Sequence, residues 1–207
     1  YGYNYEDKDL SWHYHIFTGW YEYCYSNNKE INNILEIGTH DGRFTNFLSK
    51  IYDSSKIFTV DLPQNDEFFI NSYGREKLDE RNKFIETRSK NLDRSNIKFS
   101  ELNSINIANF FNDMKFDAIW VDGDHHNPQV TLDILNCLNL LNKGGLMCVD
   151  DVIKDGAHVK DDYISNESYK TLEHLEKNNL IQNYFIIKRT RNSVSNTQKY
   201  VSVSTLL

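Results

Sequence analysis

The chain has 207 residues and a net charge of −7, with 39% apolar and 26% charged residues, as in an ordinary soluble globular protein. This length suits one domain that folds without disulfides. The negative charge disfavours nonspecific binding to nucleic acid or anionic membranes, which needs a basic surface. Cys24, Cys137 and Cys148 lack metal-ligand or redox spacing and are expected in the core. Without an apparent signal peptide or membrane-spanning run, a cytoplasmic protein is the expectation.

The first thirty residues are rich in tyrosine and tryptophan, and His13, Phe17, Trp20 and Cys24 fall at helical spacing. This pattern predicts a helix that packs against the core. A lid over a ligand and a contact between two copies in a homodimer are the alternatives. We therefore divide the chain into an N-terminal helical segment, 1–30, and a main domain, 31–207.

From residue 31 onward, short β-type apolar runs alternate with helical patterns, which indicates a parallel sheet built from βαβ units. Helices are predicted from Arg43, over about 75–87 and 105–111, and from Asn127-Pro128 to a stop at Gly144-Gly145. A closing hairpin follows a further helix. The predicted strands are 31–37, 56–60, 96–100, 116–121, 146–149, 182–188 and 199–205.

A glycine-containing loop, Glu36-Ile37-Gly38-Thr39-His40-Asp41-Gly42, joins the first strand to the first helix. Glycines allow a tight turn that presents backbone N–H groups to a ligand, and the helix N-terminus adds a positive dipole end. A dinucleotide enzyme would carry G-x-G-x-x-G here. Glu36 suits a ligand with ammonium and sulfonium groups better than a pyrophosphate. Asp61, which ends the second strand, can accept hydrogen bonds from both ribose hydroxyls.

With these residues in this order, the chain resembles class I S-adenosylmethionine-dependent methyltransferases over about residues 30–207. The resemblance implies an α/β, Rossmann-like three-layer sandwich whose seven-stranded, mostly parallel sheet has the order 3-2-1-4-5-7-6 and an antiparallel last strand. It places the methionine end of the cofactor at the glycine loop, the ribose at Asp61, and the adenine near Leu62 and the end of the third strand. The implied cofactor-binding residues are Glu36, Gly38, Thr39, Gly42, Asp61, Leu62, Asn103, Ser104 and Asp122.

Acidic residues follow two further strands: Asp122 after the fourth, and Asp150 and Asp151 after the fifth. Ligands of open α/β sheets bind beyond the carboxyl ends of the strands, where these side chains should converge. Clustered carboxylates repel unless a cation or protons neutralise them, and oxygen ligands suit Mg²⁺, Ca²⁺ or Mn²⁺. The three aspartates are therefore predicted metal ligands. The alternative is that Asp122 shapes the cofactor pocket and Asp151 caps a loop, without metal.

The run Val121-Asp122-Gly123-Asp124-His125 also resembles macrolide-sugar, catechol and caffeoyl-CoA O-methyltransferases. The resemblance implies that acids after strands four and five bind metal, and His125 replaces the lysine base of the catechol type. His125 or His126 is thus predicted to take a proton from the acceptor hydroxyl. His158 lies in a loop that is either surface or an acceptor cover. The run Lys188-Arg189-Thr190-Arg191 is either a solvated turn or a handle for an anionic substrate.

The sequence favours a divalent-metal-assisted methyltransferase that acts on a hydroxyl of a small molecule, such as a sugar or secondary metabolite. No nucleic-acid or membrane partner is expected. The alternatives are a metal-free N- or C-methyltransferase of the same fold, an NAD-type oxidoreductase, and a catalytically silent scaffold that binds the cofactor.

Overall fold

A seven-stranded sheet forms the centre of the computed structural model, which describes residues 12–155, 165–189 and 197–207. Its order is β3-β2-β1-β4-β5-β7-β6. The first five strands are parallel, and β7 runs antiparallel to both neighbours, as predicted. The strands are β1 (Asn33–Ile37), β2 (Lys56–Asp61), β3 (Ile97–Glu101), β4 (Phe116–Val121), β5 (Leu141–Val152), β6 (Ile181–Arg189) and β7 (Lys199–Leu206).

Helices cover both faces of this sheet. The helix predicted over 75–87 spans Leu78–Asn91 instead, and a separate short helix, Glu67–Asn71, precedes it. A 3₁₀ turn, Ser104–Asn106, precedes α5. None of the helices in the described part of the chain is long and apolar enough to cross a membrane. The helices are α1 (Trp12–Ser26), α2 (Arg43–Ile51), α3 (Glu67–Asn71), α4 (Leu78–Asn91), α5 (Ile107–Phe110), α6 (Gln129–Leu140) and α7 (Glu167–Lys177).

Successive residues of the central strands lie in two different hydrophobic cores, one on each face of the sheet, because side chains alternate across a strand. Leu35 and Ile119 belong to the core shared with α5, α6 and α7, whereas Ile34 and Trp120 pack with α1 and α2. Phe17 of α1 lies fully buried in the second core. The helix predicted in the N-terminal segment therefore packs against the sheet, and the three cysteines are buried as expected. The boundary at residue 30 stays a prediction.

The predicted helix stop at Gly144-Gly145 is wrong. Helix α6 ends at Leu140, and Leu141 already pairs with Phe116 of β4. Pairing then resumes between Leu146 and Ala118, so extra residues of β5 bulge out between the two pairs. Gly144 adopts φ +75° within this irregularity. The glycines thus allow the strand to change register, as in a β-bulge. The pairing of β5 with β4 decides the structure here, although two glycines after an apolar helix are typical of a helix terminus.

Candidate active site

The loop between β1 and α2 is pressed against the backbone that follows β4. Asp122 donates its backbone N–H to the Ile37 carbonyl at 2.9 Å. Gly38 has φ +91°, and a Cβ atom there would lie 2.1 Å from the Asp122 carbonyl oxygen. Gly42, at φ +77°, precedes the first residue of α2. Gly38 therefore lets the ends of β1 and β4 lie in direct contact, whereas Gly42 packs against Asn91 and Leu92 at the end of α4.

Glu36 lies beneath this loop and is only 1% exposed. Its Oε2 atom accepts hydrogen bonds from the hydroxyls of Thr45 and Thr59, the latter at 2.6 Å. The Thr39 and Thr59 hydroxyls are 2.6 Å apart, which extends the network into the loop. Burial raises the pKa of the Glu36 carboxyl to about 8, although the threonine hydrogen bonds oppose this shift. Glu36 thus belongs to a buried polar network rather than to the open surface of the loop.

Asp61, at the end of β2, faces the same loop. Its two carboxylate oxygens accept hydrogen bonds from the backbone N–H groups of His40 and Leu62, both at 2.8 Å. Buried Arg88 of α4 places its guanidinium 3.8 Å from Asp61 and 3.5 Å from Glu101. These contacts fix the orientation of the carboxylate at the point where the sequence predicts ribose binding.

Two of the residues predicted near adenine, Asn103 and Ser104, follow β3, whereas Leu62 follows β2. Asn103 accepts a hydrogen bond from the Ile105 backbone N–H at 3.0 Å and so caps the 3₁₀ turn. Ser104 accepts from the Gln129 amide at 2.7 Å, and the same amide donates to Asp133 at 2.8 Å. Asp133 is fully buried, which raises its pKa to about 6. A buried polar network thus fixes Ser104 in place.

The two histidines after β4 have different surroundings. His125 is 14% exposed, and its Nε2 atom lies 3.8 Å from an Asp122 carboxylate oxygen. Burial lowers the pKa of His125, which keeps the imidazole neutral at pH 7. His126 is more exposed and turns its Nδ1 atom toward Asp124, at 3.1 Å. The structure therefore brings His125, but not His126, to the predicted acidic cluster.

Asp150 and Asp151 lie at an irregularity in the pairing of β5 with β7, between Val149 and Val152. Lys188 of β6 donates to Asp150 at 2.6 Å and to Asp151 at 2.8 Å. Lys199 of β7 donates to the other oxygen of Asp151 at 2.5 Å. The interpretation of Lys188 as part of a solvated turn is therefore wrong, because its side chain is only 11% exposed.

This arrangement does not fit the predicted metal site. The described residues contain no group of three or more His, Cys, Asp or Glu side chains able to hold a metal ion. Both oxygens of Asp151 and one oxygen of Asp150 already accept hydrogen bonds from ammonium groups. A divalent cation would have to displace a lysine to reach these carboxylates. His158, Thr190 and Arg191 lie outside the described residues.

Several site residues were not anticipated. Thr59 pairs directly with Glu36 in the parallel register of β1 and β2, so the strand alignment could have identified it. His13 of α1 packs against Trp120 and Phe44, at ring-centroid distances of 5.4 and 4.8 Å. Burial, with a further contribution from nearby Lys188, lowers its pKa to about 3. A neutral, largely buried histidine from the N-terminal helix thus packs against side chains of α2 and β4.

Comparison with known proteins identifies the family of the chain. Residues 35–152, more than half of the chain, match the methyltransferase-domain family. The chain belongs to this family. The match spans the loop after β1, Asp61 and the aspartates after β4 and β5, and it confirms the resemblance to S-adenosylmethionine-dependent methyltransferases. No match is found among curated protein sequences.

Solved structures show the same fold at low sequence identity. A Klebsiella pneumoniae protein assigned as an O-methyltransferase is 12% identical, with a TM-score of 0.63 over 100% of this chain and 82% of its own. The Bacillus cereus O-methyltransferase in complex with S-adenosylhomocysteine is 19% identical, with a TM-score of 0.59 over 96% and 83%. The N-methyltransferase NodS of Bradyrhizobium japonicum, with the same ligand, is 14% identical, with a TM-score of 0.59 over 98% and 91%.

Proposed function

We propose that the protein transfers a methyl group from S-adenosylmethionine to a hydroxyl of a small molecule such as a sugar or secondary metabolite. The observation that carries this proposal is the position of neutral, buried His125 beside Asp122, at the end of the strand next to the glycine loop. The similarity to O-methyltransferase structures supports the hydroxyl acceptor.

The cofactor would lie across the carboxyl ends of β1, β2 and β4. The loop over Gly38, Thr39 and Gly42 would hold its methionine end, with Glu36 as the nearby buried acid. Asp61 would bind the ribose hydroxyls through the lone pairs that its two backbone hydrogen bonds leave available. Leu62, Asn103 and Ser104 would line the adenine, and Asp122 would complete the cofactor site at the end of β4.

His125 would act on the acceptor. S-adenosylmethionine supplies an electrophilic methyl group on a sulfonium centre when bound. The neutral His125 imidazole would receive the proton that leaves the acceptor hydroxyl, because a lone pair is available once the ring pKa is lowered. No divalent-metal step is assigned, since Asp150 and Asp151 hold two ammonium groups instead.

The cofactor assignment is tested by calorimetric titration of S-adenosylhomocysteine into wild type and Asp61→Asn. Loss of charged hydrogen bonds to the ribose is expected to weaken binding by roughly 10-fold or more. Asp66→Asn is the matched control, because the Asp66 carboxylate accepts a hydrogen bond from the Phe68 backbone N–H of α3, whereas that of Asp61 accepts one from His40 of the glycine loop. Equal affinities for wild type and Asp61→Asn would contradict the ribose assignment, and no binding to wild type would contradict the proposed function.

Cofactor binding is also expected to release a proton from Glu36. With a pKa of about 8, most of the free protein carries this proton at pH 7. An ammonium group bound nearby favours the carboxylate, so up to about one proton should leave on binding. Calorimetry in buffers of different ionisation enthalpy measures this number. The same proton release in Glu36→Gln would refute the assignment to Glu36.

Replacement of His125 is expected to slow methyl transfer without weakening cofactor binding. His125→Asn removes the proposed base and should lower kcat by roughly 100-fold or more, measured with an acceptor found by screening hydroxylated small molecules. His126→Asn serves as the control, because His126 faces Asp124. Since the His125 pKa is lowered, wild-type activity should be independent of pH above the ordinary histidine value and fall only below it. Equal rates for the two variants would argue against His125 as the base.

A further inference from the structure

Lys188, Lys199, Asp150 and Asp151 form a lysine–aspartate cluster at the carboxyl end of β5. This end lies next to that of β4, where the acceptor of the proposed reaction would bind. We propose that Lys188, held in place by Asp150 and Asp151, supplies the positive charge at this acceptor site, so that methyl transfer to the hydroxyl needs no divalent metal. This inference rests on the proposed function and specifies how the same site is charged.

The cluster is built into the sheet rather than placed on its surface. Lys188 lies near the end of β6 and Lys199 at the start of β7, and the antiparallel pairing of these strands brings both to the irregularity in β5. Asp151 adopts φ +49° there, an uncommon conformation for a residue other than glycine. The lysine side chains are only 11% and 9% exposed. Buried charges persist in proteins only when they are paired in this way.

The charge balance matches that of a metal site. Asp150 and Asp151 carry two negative charges, and the two ammonium groups that they bind carry two positive charges, which leaves these four side chains neutral together. A single divalent cation between two carboxylates would leave the same net charge. The lysines therefore provide the neutralisation that the sequence pattern assigned to a metal ion.

Lys188 retains a hydrogen-bonding group for a ligand. An ammonium group has three N–H donors, and among the residues that the structure describes, Asp150 and Asp151 accept two of those of Lys188. Within the described residues, Oδ1 of the buried Asp150 has no hydrogen-bond partner. Within these residues, one N–H donor of Lys188 and one oxygen of Asp150, the residue with which it pairs, thus have no partner, a combination suited to a hydroxylated molecule. Nearby charges keep Lys188 protonated, since Asp150, Asp151 and Asp122 raise its pKa against the opposing effect of burial.

Lys188 and His125 then have complementary roles. His125 takes the hydroxyl proton, the acceptor oxygen forms its bond to the methyl carbon, and the carbon–sulfur bond breaks with its electron pair remaining on sulfur. The Lys188 ammonium stabilises the negative charge that develops on the oxygen before the new bond is complete. The products are the methyl ether, S-adenosylhomocysteine and a protonated His125.

Metal binding and metal dependence test this inference. Mn²⁺ is titrated into wild type saturated with S-adenosylhomocysteine, with electron paramagnetic resonance as readout and Asp150→Asn as reference. We expect no more Mn²⁺ bound by wild type than by the reference up to about 1 mM, the weak end of protein cation sites. We also expect equal turnover in EDTA and in Mg²⁺. Mn²⁺ binding that Asp150→Asn abolishes, or turnover that EDTA abolishes and Mg²⁺ restores, would overturn the inference.

The role of Lys188 is tested by turnover of Lys188→Met and Lys188→Arg in EDTA. Lys188→Met should lose roughly 100-fold or more of kcat while it still binds S-adenosylhomocysteine, and Lys188→Arg should recover part of the loss by restoring the charge. If Lys188→Met does not fold, Lys188→Arg and Lys199→Met supply the comparison. Unchanged turnover in Lys188→Met would refute the role of Lys188. Absence of S-adenosylhomocysteine binding by wild type would instead refute the proposed function.

Discussion

Gly38→Ala is expected to destabilise the protein by more than about 4 kcal/mol and to abolish cofactor binding. The new Cβ atom would lie 2.1 Å from the Asp122 carbonyl oxygen, so the backbone of one strand end must move. Gly38 also has φ +91°, which side chains other than hydrogen rarely permit. Both the glycine loop and the position of Asp122 would shift together. Urea unfolding and titration with S-adenosylhomocysteine measure the two effects.

Gly144→Ala measures the cost of backbone strain without a steric clash such as the one at Gly38. Gly144 has φ +75°, and a Cβ atom there would meet nothing within 4 Å. Its substitution should therefore cost only about 1–2 kcal/mol, the cost of a left-handed conformation for an alanine, and leave cofactor affinity unchanged. Equal destabilisation by the two substitutions would show that the close approach of β1 and β4 does not govern the stability of the glycine loop.

Lys188→Met is expected to destabilise the protein by about 3–5 kcal/mol, the second largest effect. The substitution removes the ammonium group between Asp150 and Asp151 and leaves Asp150 buried without its cation. Breaking one partner of a buried ion pair costs this much because the remaining charge stays desolvated. Thermal and urea unfolding at neutral pH provide the measurement.

A second substitution tests the origin of that loss. Asp150→Asn added to Lys188→Met removes the unpaired charge and should recover part of the stability, a non-additivity that a double-mutant cycle quantifies. Lys177→Met is the surface control: Lys177 pairs with Glu173 on the exposed side of α7, and its loss should change stability by less than about 1 kcal/mol. Additive effects of the Lys188 and Asp150 substitutions would show that the two side chains do not interact.

Much of the fold was predictable because its signals are local and periodic. The type of sheet follows from the apolar runs of β1, β2 and β4. The cofactor end of the site follows from the glycine loop together with Asp61. The stop at Gly144-Gly145 failed because its glycines serve strand pairing with β4, which no local pattern reveals. The short helix α3 was missed because the charged and aromatic region around it has no clear period.

The acceptor side was less predictable, since its contacts are long-range. Lys188 and Lys199 lie 37 and 48 positions along the chain from Asp151. Only the register of the final hairpin and the irregularity in β5 bring these charges together. The sequence does not show which positive charges lie next to the three aspartates, and a metal ion is the simplest way to neutralise them. The burial of Arg88 was equally difficult to predict, because a charged residue on a polar helix usually faces solvent.

The central claim, metal-independent methyl transfer to a hydroxyl, is tested most directly by following radiolabelled methyl groups from S-adenosylmethionine. Wild-type protein is incubated in EDTA with a panel of hydroxylated and amino-substituted small molecules, with His125→Asn in parallel. We predict labelled methyl ethers from at least one hydroxylated acceptor, at a rate that His125→Asn lowers by roughly 100-fold or more. Transfer to amines alone, or transfer that appears only when Mg²⁺ replaces EDTA, would contradict this account.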